Sequence, residues 1–182
     1  MKNPEDLAAV EAVLNGDIDA FETIVERWKL PLVNLAYRYC LDRGRAEDLA
    51  QEAILRAFRH LRSWRRDAAF STWLFALASN LYRTELKRLP PLADSLDRVV
   101  VAGGPDPEAL VGERETASAV RAAVAALPGK YREPIMHYYL HEQDLALSAA
   151  VLGMPEGTFK ARLARGRALL RDRLSRWRGG RR

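Results

Sequence analysis

Residues 144–170 read DLALSAAVLGMPEGTFKARLARGRALL. Asp144 stands where a helix N-cap is wanted, its side-chain oxygen available to the first free backbone N–H groups. Gly153 then supplies a turn, and Met154 and Pro155 restart a long helix from Glu156, with proline where a helix start tolerates it. The pattern is helix, glycine turn, helix. At 100° per residue, Phe159, Leu163, Gly166 and Leu170 fall within about 60° of one another and are expected to point inward. The opposite face carries Gly157, Ala161, Ala164 and Ala168, small enough to let a backbone approach a groove floor. Lys160, Arg167 and Arg171 on one flank and Arg162 and Arg165 on the other can reach phosphates, which is the layout of a major-groove recognition helix. An ordinary helical hairpin with a solvated basic face shows the same pattern.

Charge favours the first of these. Residues 153–182 hold ten Lys or Arg against Glu156 and Asp172, a net +8 in a chain of +5, so the first 152 residues sum to −3. A basic end on a neutral to acidic protein is the footprint of polyanion binding, shared by nucleic-acid binders and by polybasic segments at membrane surfaces.

Helical periodicity recurs along the rest of the 182 residues. Asn3, Pro4, Glu5 and Asp6 form an N-cap, proline and acidic first turn, followed by Leu7, Val10, Val13 and Leu14 up to Gly16. A second pattern runs from Phe21 through Ile24, Val25 and Trp28, and Pro31 is expected to kink or break it. Between residues 46 and 61, Leu49, Ala53, Ile54, Ala57, Phe58 and Leu61 share one face. From about Ser71 to Arg88 the buried stripe is Phe70, Trp73, Leu74, Leu77, Ala78 and Leu81. Prolines 90, 91, 105 and 107 with Gly103 and Gly104 then interrupt any period, and residues 90–115 carry a net −4. Asp106 and Pro107 restart a helix that Leu127, Pro128 and Gly129 end. The expected fold is all-α: two small helical domains, residues 1–89 and 113–182, joined by a flexible acidic linker at 90–112, the second domain containing the helix-turn-helix.

Opposite the core of the 46–61 helix lie Asp48, Glu52, Leu55 and Arg59. A single exposed leucine is ordinary, but an apolar anchor in a charged rim is also what a protein interface presents. Trp64, Arg65, Arg66 and Phe70 interleave aromatic and basic groups in the following loop, which suits unstacked single-stranded bases. Anchoring of the core by the same aromatics is the alternative.

Four strings carry a resemblance: AEDLAQEAILRAF at 46–58, FSTWLFALASNLYRTELKR at 70–88, ALPGKYREPIMHYYL at 126–140 and VLGMPEGTFKARLARGRALLRDRL at 151–174. In order and spacing they resemble the extracytoplasmic-function group of bacterial RNA polymerase sigma factors. The resemblance implies that the first lobe binds the clamp of core RNA polymerase through Asp48, Gln51, Glu52, Leu55 and Arg59. It implies capture of the melted minus 10 promoter element by Trp64, Arg65, Arg66, Phe70, Trp73, Asn80 and Arg83, with Asn80 at the family's usual asparagine. It implies reading of the minus 35 element as duplex by Gly157, Thr158, Lys160, Ala161, Arg162, Arg165 and Arg167. It also implies an anti-sigma factor as a partner. The first helix of the DNA-binding pair departs from the pattern, with Ala146, Leu147 and Ser148 where the family carries acidic residues and an apolar one.

Other classes fare worse. His137 and His141 have the spacing of two metal ligands on one helix, yet no third ligand is signalled, and no glycine-rich phosphate loop or nucleophile motif is present. No cofactor and no enzymatic activity are expected. A conventional helix-turn-helix regulator, whose first lobe senses a ligand or dimerises, is the nearer alternative. Cys40 is a lone cysteine, which excludes an internal disulfide framework and points to a reducing cytoplasm. The longest uncharged run, Ala68 to Tyr82, is polar at four positions and shorter than the roughly 20 apolar residues of a membrane span.

Overall fold

In the computed structural model, which describes residues 3–87, 109–141 and 144–179, every regular element among those residues is helical. The chain divides into two compact units, one of Met1–Pro90 with Ala150–Gly153 and one of Pro91–Ala149 with Met154–Arg182.

The first unit opens with α1 (Pro4–Leu14), capped by Asn3, whose side chain accepts a hydrogen bond from Glu5 N at 3.0 Å. Gly16, at φ +106°, turns the chain into a short 3-10 turn (Ile18–Ala20) and α2 (Phe21–Cys40). Helix α1 is tied to α2 by Asp6, 2% exposed, which accepts from Trp28 Nε1 at 3.2 Å and pairs with Arg27 at 3.3 Å. Burial pushes the Asp6 carboxyl above its ordinary pKa, while the Trp28 hydrogen bond opposes the rise. Arg27 also pairs with Glu5.

Helix α2 runs through Pro31 without the break expected there. The proline forfeits one backbone donor, but α2 is packed on both sides of it, with Phe21 and Ile24 buried before and Leu32, Leu35, Ala36 and Tyr39 buried after, so tertiary contact carries the helix across. Leu41, in the left-handed region at φ 56°, ends α2 with its N–H on Tyr37 O at 2.8 Å. Asp42 then caps α3 (Arg43–Arg59), accepting from Arg45 N at 2.8 Å.

The buried side of α3 is Ala46, Leu49, Ala50, Ala53 and Ala57. The expected face is therefore rotated: Ile54 is only half-buried, and Phe58 is 37% exposed with its ring edge-on to Phe21 at 5.0 Å. An alanine ridge lets α2 approach closely, and the larger side chains move to the flanks. Helix α4 (Phe70–Lys87) packs against both α2 and α3. Contact with two neighbours buries Phe75 and Tyr82 as well as Phe70, Leu74, Ala78 and Leu81. The Tyr82 hydroxyl donates to Leu32 O at 3.3 Å, and burial pushes its pKa up.

The helices of the second unit are α5 (Ala109–Ala125), α6 (Gly129–Leu140), α7 (Leu145–Val151) up to Ala149, and α8 (Glu156–Gly179). Most of the expected linker, residues 90–108, lies outside the described residues, and its last four, 109–112, already belong to α5. Arg132 of α6 donates to Ala125 O at 3.2 Å, satisfying a carbonyl at the end of α5. Asp144 caps α7, accepting from Leu147 N at 2.9 Å, and Gly153 makes the turn at φ +62°. Phe159, Leu163 and Gly166 are buried along α8, with Leu170 half-buried. Gly166 is required by the α6 contact: a Cβ there would lie 2.9 Å from Ile135 Cδ1 and 3.0 Å from the Tyr131 carbonyl oxygen.

The side chain of Ile135 can rotate away, but the Tyr131 backbone cannot. Gly166→Val should therefore destabilise the full-length protein by about 1–3 kcal/mol through overpacking, read as a lower denaturation midpoint. An unchanged midpoint would show that α6 and α8 are not in close contact at this point.

Candidate nucleic-acid and polymerase interfaces

Helix α8 separates its two faces as its periodicity requires. Gly157, Thr158, Lys160, Ala161, Ala164, Arg165 and Arg171 are exposed, Arg162 and Ala168 are half-buried, and the Phe159 stripe is inside. The helix N-terminus, with its free backbone N–H groups, follows directly on the Gly153 turn. Lys160 lies 3.8 Å from Glu156 one turn earlier. Arg167 is already engaged: its guanidinium stacks over Tyr138 at 4.8 Å and Tyr139 at 5.8 Å, so it joins α8 to α6 while keeping its charge near the surface.

His137 and His141 lie buried against each other, rings stacked at 5.6 Å and Nδ1 to Nε2 at 3.4 Å. Among the described residues no three His, Cys, Asp or Glu side chains are grouped to hold a metal ion.

In the first unit the loop between α3 and α4 is held by its aromatics. Trp64 is 8% and Phe70 2% exposed, their rings meet at 5.3 Å, and Trp64 Nε1 donates to Ala68 O at 3.2 Å. In the chain as described, these two rings anchor the loop to the core. Arg65 and Arg66 are exposed on the same loop. On α4 the half-buried Trp73 and exposed Asn80 are seven residues apart and lie within about 20° on the helix surface. Half-buried Arg83 donates from Nη1 to Asn80 Oδ1 at 3.1 Å. Arginine has only donors, so the Asn80 oxygen is the pole that faces it and the amide NH2 is left as a donor at the surface.

On α3, Asp48, Gln51 and Arg59 are exposed, Leu55 is 48% exposed and Glu52 is half-buried. The Glu52 carboxylate accepts from Arg56 Nε at 2.6 Å, and Arg56 also reaches to 4.0 Å from Glu85 of α4. Between α2 and α3 runs a groove with Val25, Val33, Ala50 and Ile54 along it and the exposed Leu30 and Leu55 among its lining. Leu30, 65% exposed, is absent from the sequence-based candidates. Its signal is that it falls on the side of α2 away from the Phe21, Ile24, Leu32 and Leu35 stripe.

Two helical units, one ending in a basic helix-turn-helix, define a DNA-binding transcription protein. Comparison makes this specific. The family described as Sigma-70 region 2 matches residues 24–89, and that described as Sigma-70, region 4 matches residues 117–170. The ECF RNA polymerase sigma factor SigW of Bacillus subtilis is 34% identical over 91% of this chain and 94% of its own length. The ECF RNA polymerase sigma-E factor of Escherichia coli is 32% identical over 93% of this chain and 94% of its own. Among solved structures, CnrH in complex with the cytosolic domain of CnrY shares the fold at TM-score 0.72 and 22% identity, over 94% of this chain and 97% of that one. The chain belongs to the ECF RNA polymerase sigma factors. It is accordingly a non-enzymatic initiation factor that joins core RNA polymerase and directs it to promoters, and the conventional-regulator alternative is not favoured. Among the described residues no helix is long and apolar enough to cross a membrane.

The stacking of Arg167 separates it from the other cations of α8. Arg167→Ala should lower stability by about 0.5–1 kcal/mol, as loss of an exposed cation–π contact does, while Arg165→Ala should leave the denaturation midpoint within error. Equal midpoints for the two variants would contradict the assignment.

Proposed function

We propose that the outer face of α3 is the polymerase-binding surface, with Asp48, Gln51, Glu52, Leu55 and Arg59 as its contacts and Leu55 as the apolar anchor. The observation that carries this is a leucine 48% exposed among charged neighbours, directly opposite a buried alanine ridge. Arg56 supports the same face by fixing the Glu52 carboxylate. The melted minus 10 strand runs over the loop and α4, meeting Trp64, Arg65, Arg66, Phe70, Trp73, Asn80 and Arg83, with Trp64 and Phe70 also anchoring the loop to the core. The minus 35 duplex meets α8 through Gly157, Thr158, Lys160, Ala161, Arg162 and Arg165, with Arg167 contributing its charge from the Tyr138–Tyr139 platform.

The working units are residues 1–89 and 113–182, joined by the 90–112 linker. An anti-sigma factor holds the protein inactive. Support comes from the family and from the similar solved structure of the sigma factor RpoE in complex with the anti-sigma factor NepR from Bartonella quintana, at TM-score 0.64 and 24% identity over 85% of this chain and 96% of that one. The site of action is the cytoplasm, where core polymerase is found.

Asp48 and Leu55 are exposed, so their replacement should leave the fold within about 0.5 kcal/mol. Asp48→Lys with Leu55→Arg should keep its helical circular dichroism and lose at least tenfold in capture by immobilised core polymerase. A folded double variant that is captured like the parent would remove this face from the interface.

Ala161→Glu should likewise melt like the parent, yet lose minus 35 duplex binding because a carboxylate then faces the phosphates. Arg165→Ala should flatten the dependence of log affinity on log salt by about one unit, the share of one phosphate contact. Parental affinity for Ala161→Glu would show that this face stays out of the groove.

A further inference from the structure

The region 2 match begins downstream of α1, at residue 24. Helix α1 is nonetheless built against the strand-capturing loop. It packs on the Leu61–Ser63 turn that leads into the loop. Immediately after its buried Ala9 and Val10, Glu11 pairs with Arg66 of the loop, Oε1 to Nη1 at 2.8 Å. The two residues are 55 apart in sequence.

Arg66 is one of the described non-glycine residues with positive φ, at 61°. For a residue with a Cβ the left-handed region is sterically disfavoured, so contacts around the loop are needed to hold it in this form. Its flanks are fixed from within the loop, by Trp64 Nε1 on Ala68 O at 3.2 Å and by Asp67 Oδ1 accepting from Ala68 N at 2.9 Å. Arg66, between them, is exposed and reaches outward to α1. Helix α1 is itself immobilised on α2 by the buried Asp6 with Arg27 and Trp28. Helix α1 is thus tied at two points, to α2 through Asp6 and to the middle of the loop through Glu11.

We propose that Glu11 is a positioning residue for capture of the melted promoter strand: it holds Arg66, and with it the left-handed backbone of the loop, in the form that receives single-stranded DNA. This rests on the proposed role of the loop in minus 10 binding. Glu11 does not itself meet DNA, since its carboxylate would repel phosphate. It acts by removing the conformational freedom that the loop would otherwise lose on binding.

The test uses holoenzyme assembled from full-length protein and core polymerase, titrated with pre-melted fork DNA made from a promoter that this holoenzyme transcribes. Glu11→Ala should weaken fork binding about three- to fivefold, the range of an exposed but geometrically fixed ion pair, with holoenzyme assembly unchanged. Glu11→Gln, which keeps an acceptor for Arg66, should recover part of the loss. In an Arg66→Ala background, Glu11→Ala should add nothing. Fork binding by Glu11→Ala equal to or tighter than the parent would overturn the proposal, showing that Glu11 only competes with the strand. An equal loss in both backgrounds would also overturn it, because the effect would not pass through Arg66. If Arg66→Ala alone binds fork DNA like the parent, the assignment of the loop to the strand fails, and the role of Glu11 with it.

Discussion

The contact on which the first unit depends is the alanine ridge of α3. Ala46, Ala50, Ala53 and Ala57 are at most 1% exposed and pack where α2 and α3 meet. Helices meeting through small side chains sit near the short end of the usual 8–10 Å separation, which leaves no room between them for leucine or phenylalanine. Ile54, Leu55 and Phe58 are consequently displaced to the flank and the outer face, and the protein carries exposed apolar groups that its own core cannot use. Under the proposed function this surface is the anchor for core polymerase, an apolar group within a charged rim.

The second unit applies the same constraint at one residue. Gly166 lets α8 lie against the α6 backbone near Tyr131, and Phe159 and Leu163 fill the space on the same side. With one face committed to close packing, the opposite face is left to alanine, glycine and cations. Separation of core and nucleic-acid surfaces around a single helix follows from the 3.6-residue period alone. Arg167 belongs to neither set cleanly: it sits at the seam, stacked on two tyrosines of α6, and links the stability of the unit to the charge it presents.

Local chemistry is legible in the sequence. The Asn3 and Asp144 caps, the Gly153 turn and the division of α8 into two faces depend on residues within one or two turns of each other, and the structure has them as expected. What was not legible depends on distant partners. Pro31 is a strong helix-breaking signal, yet the helix is carried through it by packing on α3 and α4. Interleaved aromatics and cations at 64–70 do not reveal that Trp64 and Phe70 are buried, because that burial comes from contacts the sequence does not display. Leu30 looks like any exposed leucine until α3 is laid beside it. Glu11 and Arg66 are unrelated in sequence and meet only in the folded chain.

The most direct test of the account is transcription reconstituted from purified core polymerase, this protein and fragmented genomic DNA of its own host, with the 5′ ends of the transcripts mapped. The account predicts a discrete set of new start sites, absent with core polymerase alone, sharing one sequence element near minus 10 and a second near minus 35. Start sites no different from those of core polymerase alone, with the protein folded and in excess, would contradict it.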